Sequence, residues 1–383
     1  MRRFVLALVC SGVCAGIALA EELPRGAIVE AVKCAADEKQ SYALYVPTSY
    51  SPERAWNAIL LFDAGGRGRR GVERYQAAAE KYGYILAGSN NSRNGPWEVS
   101  LDAARAMRED VLRRFNVDPR RVYTAGMSGG ARVAMMVALT EGGIAGVMAS
   151  SAGFPDQPQA KLPFPVFGTA GTEDFNHVEL QQLDRLVTSP HRVEVFRGGH
   201  AWLPVALATQ AVEWMELQAT KSGARKRDDA LVGQLFASRE ADAAAAQGEF
   251  DTWRALDRMA ADFDGLRDVA KIKVRAAGLR KQKSVVDEIA RRRAEETKEI
   301  ATNTEIGREE LGLGGDREIR EGAMDQLQNR FFTMFKLASA PEDSAERRMA
   351  RRILAGVIAG ARSLGDYEYV QMVDRFRPPA APE

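Results

Sequence analysis

Five residues, Gly126-Met127-Ser128-Gly129-Gly130, constrain the fold of this chain more than any others. They follow a β-branched and aromatic run at 122–125 and precede an amphipathic stretch that opens at Ala131, so the sequence reads strand, turn, helix. G-x-S-x-G in that setting is a turn so tight that side chains two before and two after the serine would collide, hence the glycines. The turn lifts the Ser128 hydroxyl clear of the sheet edge, where it can serve as a nucleophile. The plain alternative is a glycine-rich helix start with no chemistry.

Around this turn, short β-rich runs near 27–32, 42–46, 58–62, 84–87, 122–125, 146–149, 165–168 and 192–196 alternate with amphipathic stretches at 72–82, 101–115, 131–139, 178–186 and 204–218. The alternation predicts an α/β fold, a mostly parallel eight-stranded sheet with helices on both faces. The chain changes character near residue 220. No proline occurs between Pro204 and Pro341, and Ala, Glu, Lys, Arg and Leu dominate, which predicts an all-α domain. Lys221-Ser222-Gly223 reads as the linker, giving an α/β domain at 21–220 and a helical domain at 221–383. Within the latter, Gly312-Leu313-Gly314-Gly315 reads as a turn and Arg377-Pro378-Pro379 as a frayed tail. Residues 248–266, with the run to 279, resemble one tetratricopeptide helix-turn-helix unit; without three copies at a fixed period, an ordinary bundle fits as well.

Arg2 and Arg3 precede an apolar run at 4–19 that ends in Ala18-Leu19-Ala20. This predicts a secretory signal peptide, residues 1–20, cut before Glu21, and an exported mature chain in the periplasm or outside the cell. Cys10 and Cys14 would leave with it, so Cys34 has no intrachain partner and reads as a buried, inert thiol. The 53 Lys and Arg against 52 Asp and Glu leave a net charge of +1, which speaks against a nucleic-acid or anionic-membrane surface. Three histidines without metal-ligand spacing, and no phosphate-cradling motif, predict neither a metal nor a cofactor.

A serine needs a base, and the histidines are His177, His191 and His200. His191 begins a strand and His177 falls in the first turn of a helix, whereas His200 follows the last strand, on a loop that overlooks the nucleophile in such a fold. The acid belongs on the loop after the preceding strand, where Glu173 and Asp174 stand; Asp174 is the choice and Glu173 the alternative, because acids at a helix start also serve as caps. For the oxyanion, one donor is the backbone of Gly129 and the second comes from the loop Asp63-Ala64-Gly65-Gly66, assigned to Gly65.

Residues 40–218 resemble the α/β-hydrolase superfamily, in its dienelactone-hydrolase-like and polyhydroxybutyrate-depolymerase or feruloyl-esterase-like branch. The resemblance rests on 61–66, 126–130, 168–174 and Gly198-Gly199-His200-Ala201-Trp202. It implies Ser128 as nucleophile, Asp174 as acid, His200 as base and Gly129 at the oxyanion position. Asp63-Ala64 stands where many relatives have His-Gly, which puts the second oxyanion donor in question. The expected activity is hydrolysis of a small or polymeric carboxylic ester through an acyl-serine. The alternatives are a serine peptidase, and an idle hydrolase domain serving as a scaffold whose helical region recruits a protein partner. Residues 150–162 leave no room for an inserted cap, so the cleft is expected to be open. Trp97, Trp202 and Arg67 are candidates for the substrate pocket, with Arg67, Arg69 and Arg70 able to attract a carboxylate.

Overall fold

The computed structural model describes residues 23–379; the expected signal peptide, with Cys10 and Cys14, lies outside the described residues. No described helix is long and apolar enough to cross a membrane. Eight strands form one sheet: β1 (Ile28–Lys33), β2 (Ser41–Tyr45), β3 (Trp56–Asp63), β4 (Tyr84–Ser89), β5 (Val117–Met127), β6 (Val147–Ser150), β7 (Val166–Gly171) and β8 (His191–Phe196). Their order is β1-β2-β4-β3-β5-β6-β7-β8, and only β2 runs against the rest. This is the mostly parallel eight-stranded sheet, covered by helices on both faces, that the alternation of β and amphipathic runs predicts.

The central strands are apolar on both faces, as a sheet covered twice must be. In β3, Ala58, Leu60 and Phe62 enter one core, under α2 (Trp97–Arg114), α3 (Gly129–Thr140) and α4 (His177–Leu186). Ile59 and Leu61 enter the other, under α1 (Gly68–Tyr82) and α5 (Val205–Lys221). The chain leaves β3 over one face and returns to β5 over the other, so the strand order reverses between these neighbours. The carboxyl ends of such a pair are the place where open α/β sheets hold ligands. The loop after Asp63 and the turn at Ser128 are therefore side by side.

Cys34 is fully buried, and burial together with the Asp110 carboxylate pushes its thiol up to about 11, so it is inert at neutral pH. At the other end of the sheet Arg121 is buried and gives Nε to Tyr123 (3.0 Å) and Nη2 to Tyr84 (3.0 Å) while pairing with Glu216 of α5. A charge this deep is tolerable only with such a full set of partners.

The remaining helices are α6 (Asp229–Ala245), α7 (Gly248–Phe263), α8 (Ala270–Arg280), α9 (Lys283–Leu311), α10 (Arg317–Ala338), α11 (Ala345–Ala361) and α12 (Tyr367–Asp374). Side chains of Asp228, Asp316, Ser344 and Asp366 cap α6, α10, α11 and α12 by accepting from orphan N–H groups, the residue types that favour this position. A short 3-10 turn at Gly312–Gly314 separates α9 from α10. In the tail, the Pro379 carbonyl accepts from Arg351 of α11.

The helical part lies against the sheet part through buried charge as well as apolar contact. Arg192 of β8 gives Nη2 to Asp262 of α7 at 2.7 Å, and Trp214 of α5 donates its indole N–H to the same carboxylate at 2.9 Å. Arg258 of α7 reaches Glu194 of β8 at 2.6 Å. Arg185 of α4 pairs with Glu296 of α9.

Candidate active site

The serine turn has the crowding its sequence implies. A Cβ built on Gly126 would collide with the Gly130 carbonyl, and one on Gly130 with the Phe62 carbonyl, so neither position accepts another residue. Ser128 itself has φ 57° and ψ −124°, a backbone conformation that side chains other than glycine's rarely adopt. Such strain persists only where neighbours over-determine it; here the Ser128 N–H is fixed on Ser150 at 2.8 Å, and its carbonyl accepts from Ala131 and Arg132.

The acid and base loops are stitched together. Thr172 N–H donates to Phe196 and Glu173 N–H to Gly198, both at 2.8 Å, and a Cβ at Gly171 would strike the carbonyls of Gly198 and Gly199. That close approach brings the expected residues into one chain. His200 Nδ1 lies 2.8 Å from Asp174 Oδ1, and His200 Nε2 lies 2.8 Å from Ser128 Oγ. Asp174 is 0 % exposed, and its Oδ1 also accepts from the Asn176 N–H at 2.9 Å. The carboxylate is thus anchored before it meets the imidazole, so the ring is held with Nδ1–H toward Asp174 and Nε2 toward the serine.

The other histidines are structural. His191 has Nδ1 2.8 Å from the Ser189 carbonyl and Nε2 2.9 Å from the Asp184 carbonyl, so its ring N–H has a backbone acceptor away from Ser128. His177 is buried, with Nδ1 on the Gly171 carbonyl and Nε2 on Gln181. Burial, with the Arg352 guanidinium, lowers it to about 4 despite the Gly171 carbonyl and Asp174, so it folds neutral. Between pH 6.5 and 4 the unfolded chain binds this proton and the folded chain does not, so stability is lost as pH falls through that window. At about 1.4 kcal/mol per pH unit, wild type is expected to lose about 2 kcal/mol more than His177→Gln between pH 7 and pH 5 in urea unfolding. Equal losses in the two proteins would show that His177 is not held neutral.

Glu173 does not meet His200. It turns away to α11, where Arg351 Nε approaches it at 3.4 Å and Arg347 Nη1 at 3.9 Å.

The oxyanion loop corrects one assignment. The Gly65 N–H is taken by Asp63 Oδ1 at 2.9 Å and cannot serve a substrate. The Ala64 N–H, one residue earlier, makes no hydrogen bond to any described residue, and the same holds for the Gly129 N–H at the start of α3. These are the two free donors beside Ser128. Asp63, at the departure from the usual His-Gly, is the loop's clamp. Besides Gly65 it accepts from Arg67 Nε at 2.7 Å and, through Oδ2, from Trp202 Nε1 at 3.0 Å, so one carboxylate ties the oxyanion loop to the segment bearing His200. Burial raises its pKa, but the Arg67, Gly65 and Trp202 hydrogen bonds outweigh that and hold it below the ordinary value.

The same contacts revise the pocket candidates. Trp202 is core, packed under α1 against Gly71 and tied to Asp63. Arg67 gives Nε to Asp63 while its side chain stays half exposed, and Arg69 pairs with Glu73 and Glu30. Trp97 is half-buried at the start of α2 against the core of that face.

Two further residues neighbour the triad, and of these Phe175 escaped the sequence reading. Asn94 N–H donates to the Ala64 carbonyl at 2.9 Å, and its carboxamide lies where a Cβ of residue 129 would sit, which explains glycine there. Phe175, one residue after the acid, stacks on His200 with ring centroids 4.0 Å apart and planes at 25°. Phe175 in turn meets Gly356 of α11, and Arg352 of α11 gives Nη1 to the Thr172 carbonyl at 2.7 Å. The helical part therefore grips the loop that carries Asp174. Residues 150–162 hold no helix, as expected, yet the neighbourhood of the triad is bordered by α11. The large cavity of about 750 Å³ beside Tyr123, Trp214 and Asp262 is lined by none of Ser128, Asp174 and His200, so cavity size does not locate the chemistry. Among the described residues no cluster of three His, Cys, Asp or Glu side chains is placed to hold a metal ion.

No family model matches the chain, and no curated protein matches it. Solved structures do. Est1E from Butyrivibrio proteoclasticus is 13% identical with a TM-score of 0.41, over 50% of this chain and 100% of its own. A ferulic acid esterase is 16% identical with a TM-score of 0.39, over 49% of this chain and 97% of its own. A puromycin-hydrolyzing peptidase of Mycobacterium tuberculosis is 15% identical with a TM-score of 0.39, over 52% of this chain and 40% of its own. These likenesses concern half the chain and add nothing to what the sheet order and the serine turn establish.

Proposed function

We propose that the protein is an exported serine hydrolase that cleaves carboxylic esters through an acyl-Ser128 intermediate. The observation that carries this reading is the unbroken hydrogen-bonded chain Asp174, His200, Ser128, two links of 2.8 Å, ending on a strained turn beside two uncommitted backbone N–H groups. Support for export is the basic and apolar segment at 2–20.

In the first half-reaction Ser128 Oγ attacks the ester carbonyl carbon and its proton passes to His200 Nε2. The oxyanion that forms accepts from the Gly129 and Ala64 N–H groups, donors already in place and each worth about 3 kcal/mol of barrier. Collapse breaks the bond to the alcohol oxygen, which leaves with the proton from His200. In the second, water attacks the acyl carbon, His200 takes its proton, and collapse returns that proton to Ser128 Oγ and frees the acid. Asp174 stays ionised, holding the imidazole's tautomer and stabilising the imidazolium.

The test is labelling of residues 21–383 with a fluorophosphonate, which reports an activated serine without the natural substrate. Wild type is expected to label and Ser128→Ala not to, and a 4-nitrophenyl ester is expected to turn over far faster than the matching anilide. A folded wild type that stays unlabelled refutes the hydrolase reading. Preferential anilide cleavage would make it a peptidase.

A further inference from the structure

We propose that the cleft between the outer sheet strand β8 and helices α7 and α9 is a binding site for an aromatic carboxylate, which Arg254 pairs with and Phe250 and Trp253 stack against. It does not rest on the ester-hydrolase reading, since none of Ser128, Asp174 and His200 lines this cleft.

The cleft holds about 490 Å³, within the range of small-molecule sites. Its walls are fixed by contacts between the two parts of the chain. Arg258 of α7 is bound to Glu194 and to the Val193 carbonyl of β8, and Arg185 of α4 to Glu296 of α9. The lining is open to solvent: Phe250, Trp253 and Ile289 are half-buried and Val195 is 39% exposed. The Phe250 and Trp253 rings lie 5.5 Å apart with planes at 58°, an aromatic pair that a flat ring can pack against.

Arg254 gives the cleft its charge. It is half-buried, its side chain makes no hydrogen bond or ion pair with any described residue, and its guanidinium sits 5.7 Å from the Phe250 ring centroid. Burial, then Arg258 one turn along α7 and Arg292 of α9, lower it to about 10 against the opposing Glu194 and Asp251 carboxylates. Like charges four residues apart on a helix cost stability. Arg258 is answered by Glu194, whereas no described carboxylate answers Arg254. An uncompensated charge that the fold itself does not use, at an open cleft, is the kind of local conflict that marks a binding site. Arg292 gives Nε to Glu288 at 2.7 Å and keeps two nitrogens without described partners, which adds to the positive field. The carboxylates of the cleft leave that field standing. Asp262 and Glu296 are paired with Arg192 and Arg185, Asp184 lies 3.8 Å from His191, and Asp257 is exposed to water and pairs with no described cation. A guanidinium with all its N–H groups available takes a carboxylate through two parallel bonds. A ring packed on Phe250 brings its own carboxylate within reach of Arg254, and the volume admits two fused rings.

2-Naphthoate and 2-naphthalenemethanol share the ring and differ in charge. In calorimetry with residues 21–383, 2-naphthoate is expected to bind, the alcohol to bind about tenfold or more weakly, and acetate, which lacks the ring, not to bind. Arg254→Gln removes a charge that repels Arg258, so the fold is kept, as the urea midpoint would verify. Its naphthoate affinity is expected to fall about tenfold or more with the alcohol's affinity unchanged. Arg317→Gln, the same charge change at a 90% exposed position on α10, should bind naphthoate as wild type does. No naphthoate binding at millimolar concentration, equal affinity for the alcohol, or binding that survives Arg254→Gln would overturn the site, the last by placing the ligand elsewhere, the serine included. Labelling by fluorophosphonate without naphthoate binding keeps the hydrolase and removes the cleft. Binding through Arg254 in a protein that stays unlabelled does the reverse.

Discussion

His200→Ala is expected to lower kcat for a 4-nitrophenyl ester about 10⁴-fold or more, with KM changed little, because the variant loses the acceptor of the Ser128 proton and the donor to the leaving alcohol together. The residual rate above that in water comes from binding and from the Gly129 and Ala64 donors. Asp174→Asn should cost about as much, since an amide beside Nδ1 stabilises the wrong tautomer. The acid alternative gives the sharpest contrast. Glu173→Gln leaves the 2.8 Å Asp174–His200 bond in place and only weakens two longer ion pairs to α11, so its rate should stay within about threefold of wild type. Because the three residues act as a unit, Ser128→Ala with His200→Ala should be no slower than either alone. A Glu173→Gln loss as large as that of Asp174→Asn would show the acid was chosen wrongly.

What could be read from sequence here follows the range over which each feature is determined. The serine turn is local: the collisions that demand glycine at 126 and 130 arise within eight residues of sequence and from the adjacent strand, so the motif carried its own geometry. The triad was readable because the chain order and the loop positions follow once the strands are placed, and His200 is the only histidine after the last strand. The second oxyanion donor was not readable. Choosing Ala64 over Gly65 depends on Asp63 capturing the Gly65 N–H, and that carboxylate is aimed by Arg67 and by Trp202, 139 residues away. Trp202 was misread for the same reason, since a tryptophan next to the base is a pocket wall or core according to where its N–H finds a partner. Phe175 stood beside the acid in plain view, but its stacking on His200 emerges only when the two loops are zipped together. The role of α11 lay furthest out of reach, because its arginines contact residues about 180 positions earlier and nothing in their i, i+4 spacing names a partner.

Arg352→Met is expected to destabilise the protein by about 3–5 kcal/mol, the cost of stranding a buried carboxylate without its partner. Arg352 is nearly buried and forks onto Glu299 through Nε, 2.9 Å from Oε1 and 3.0 Å from Oε2, while Glu299 is 1% exposed. The pair itself need not stabilise the fold, since the desolvation of both ions offsets much of their attraction. Arg352→Met with Glu299→Leu should therefore recover most of the loss, which urea unfolding of the two singles and the double would measure as a coupling. Recovery of stability should not bring full recovery of rate. The third contact of Arg352, its bond to the Thr172 carbonyl, holds the segment two residues before Asp174, and neither methionine nor leucine can replace that donor. The double variant is thus expected to fold nearly as stably as wild type yet to show a lower kcat with KM little changed, as a displaced acid would produce. Full recovery of both would mean that the helical part only packs against the acid loop. Recovery of stability without rate would separate holding the fold from positioning Asp174, and would assign both to one arginine on a helix that an ester hydrolase of this sheet does not require.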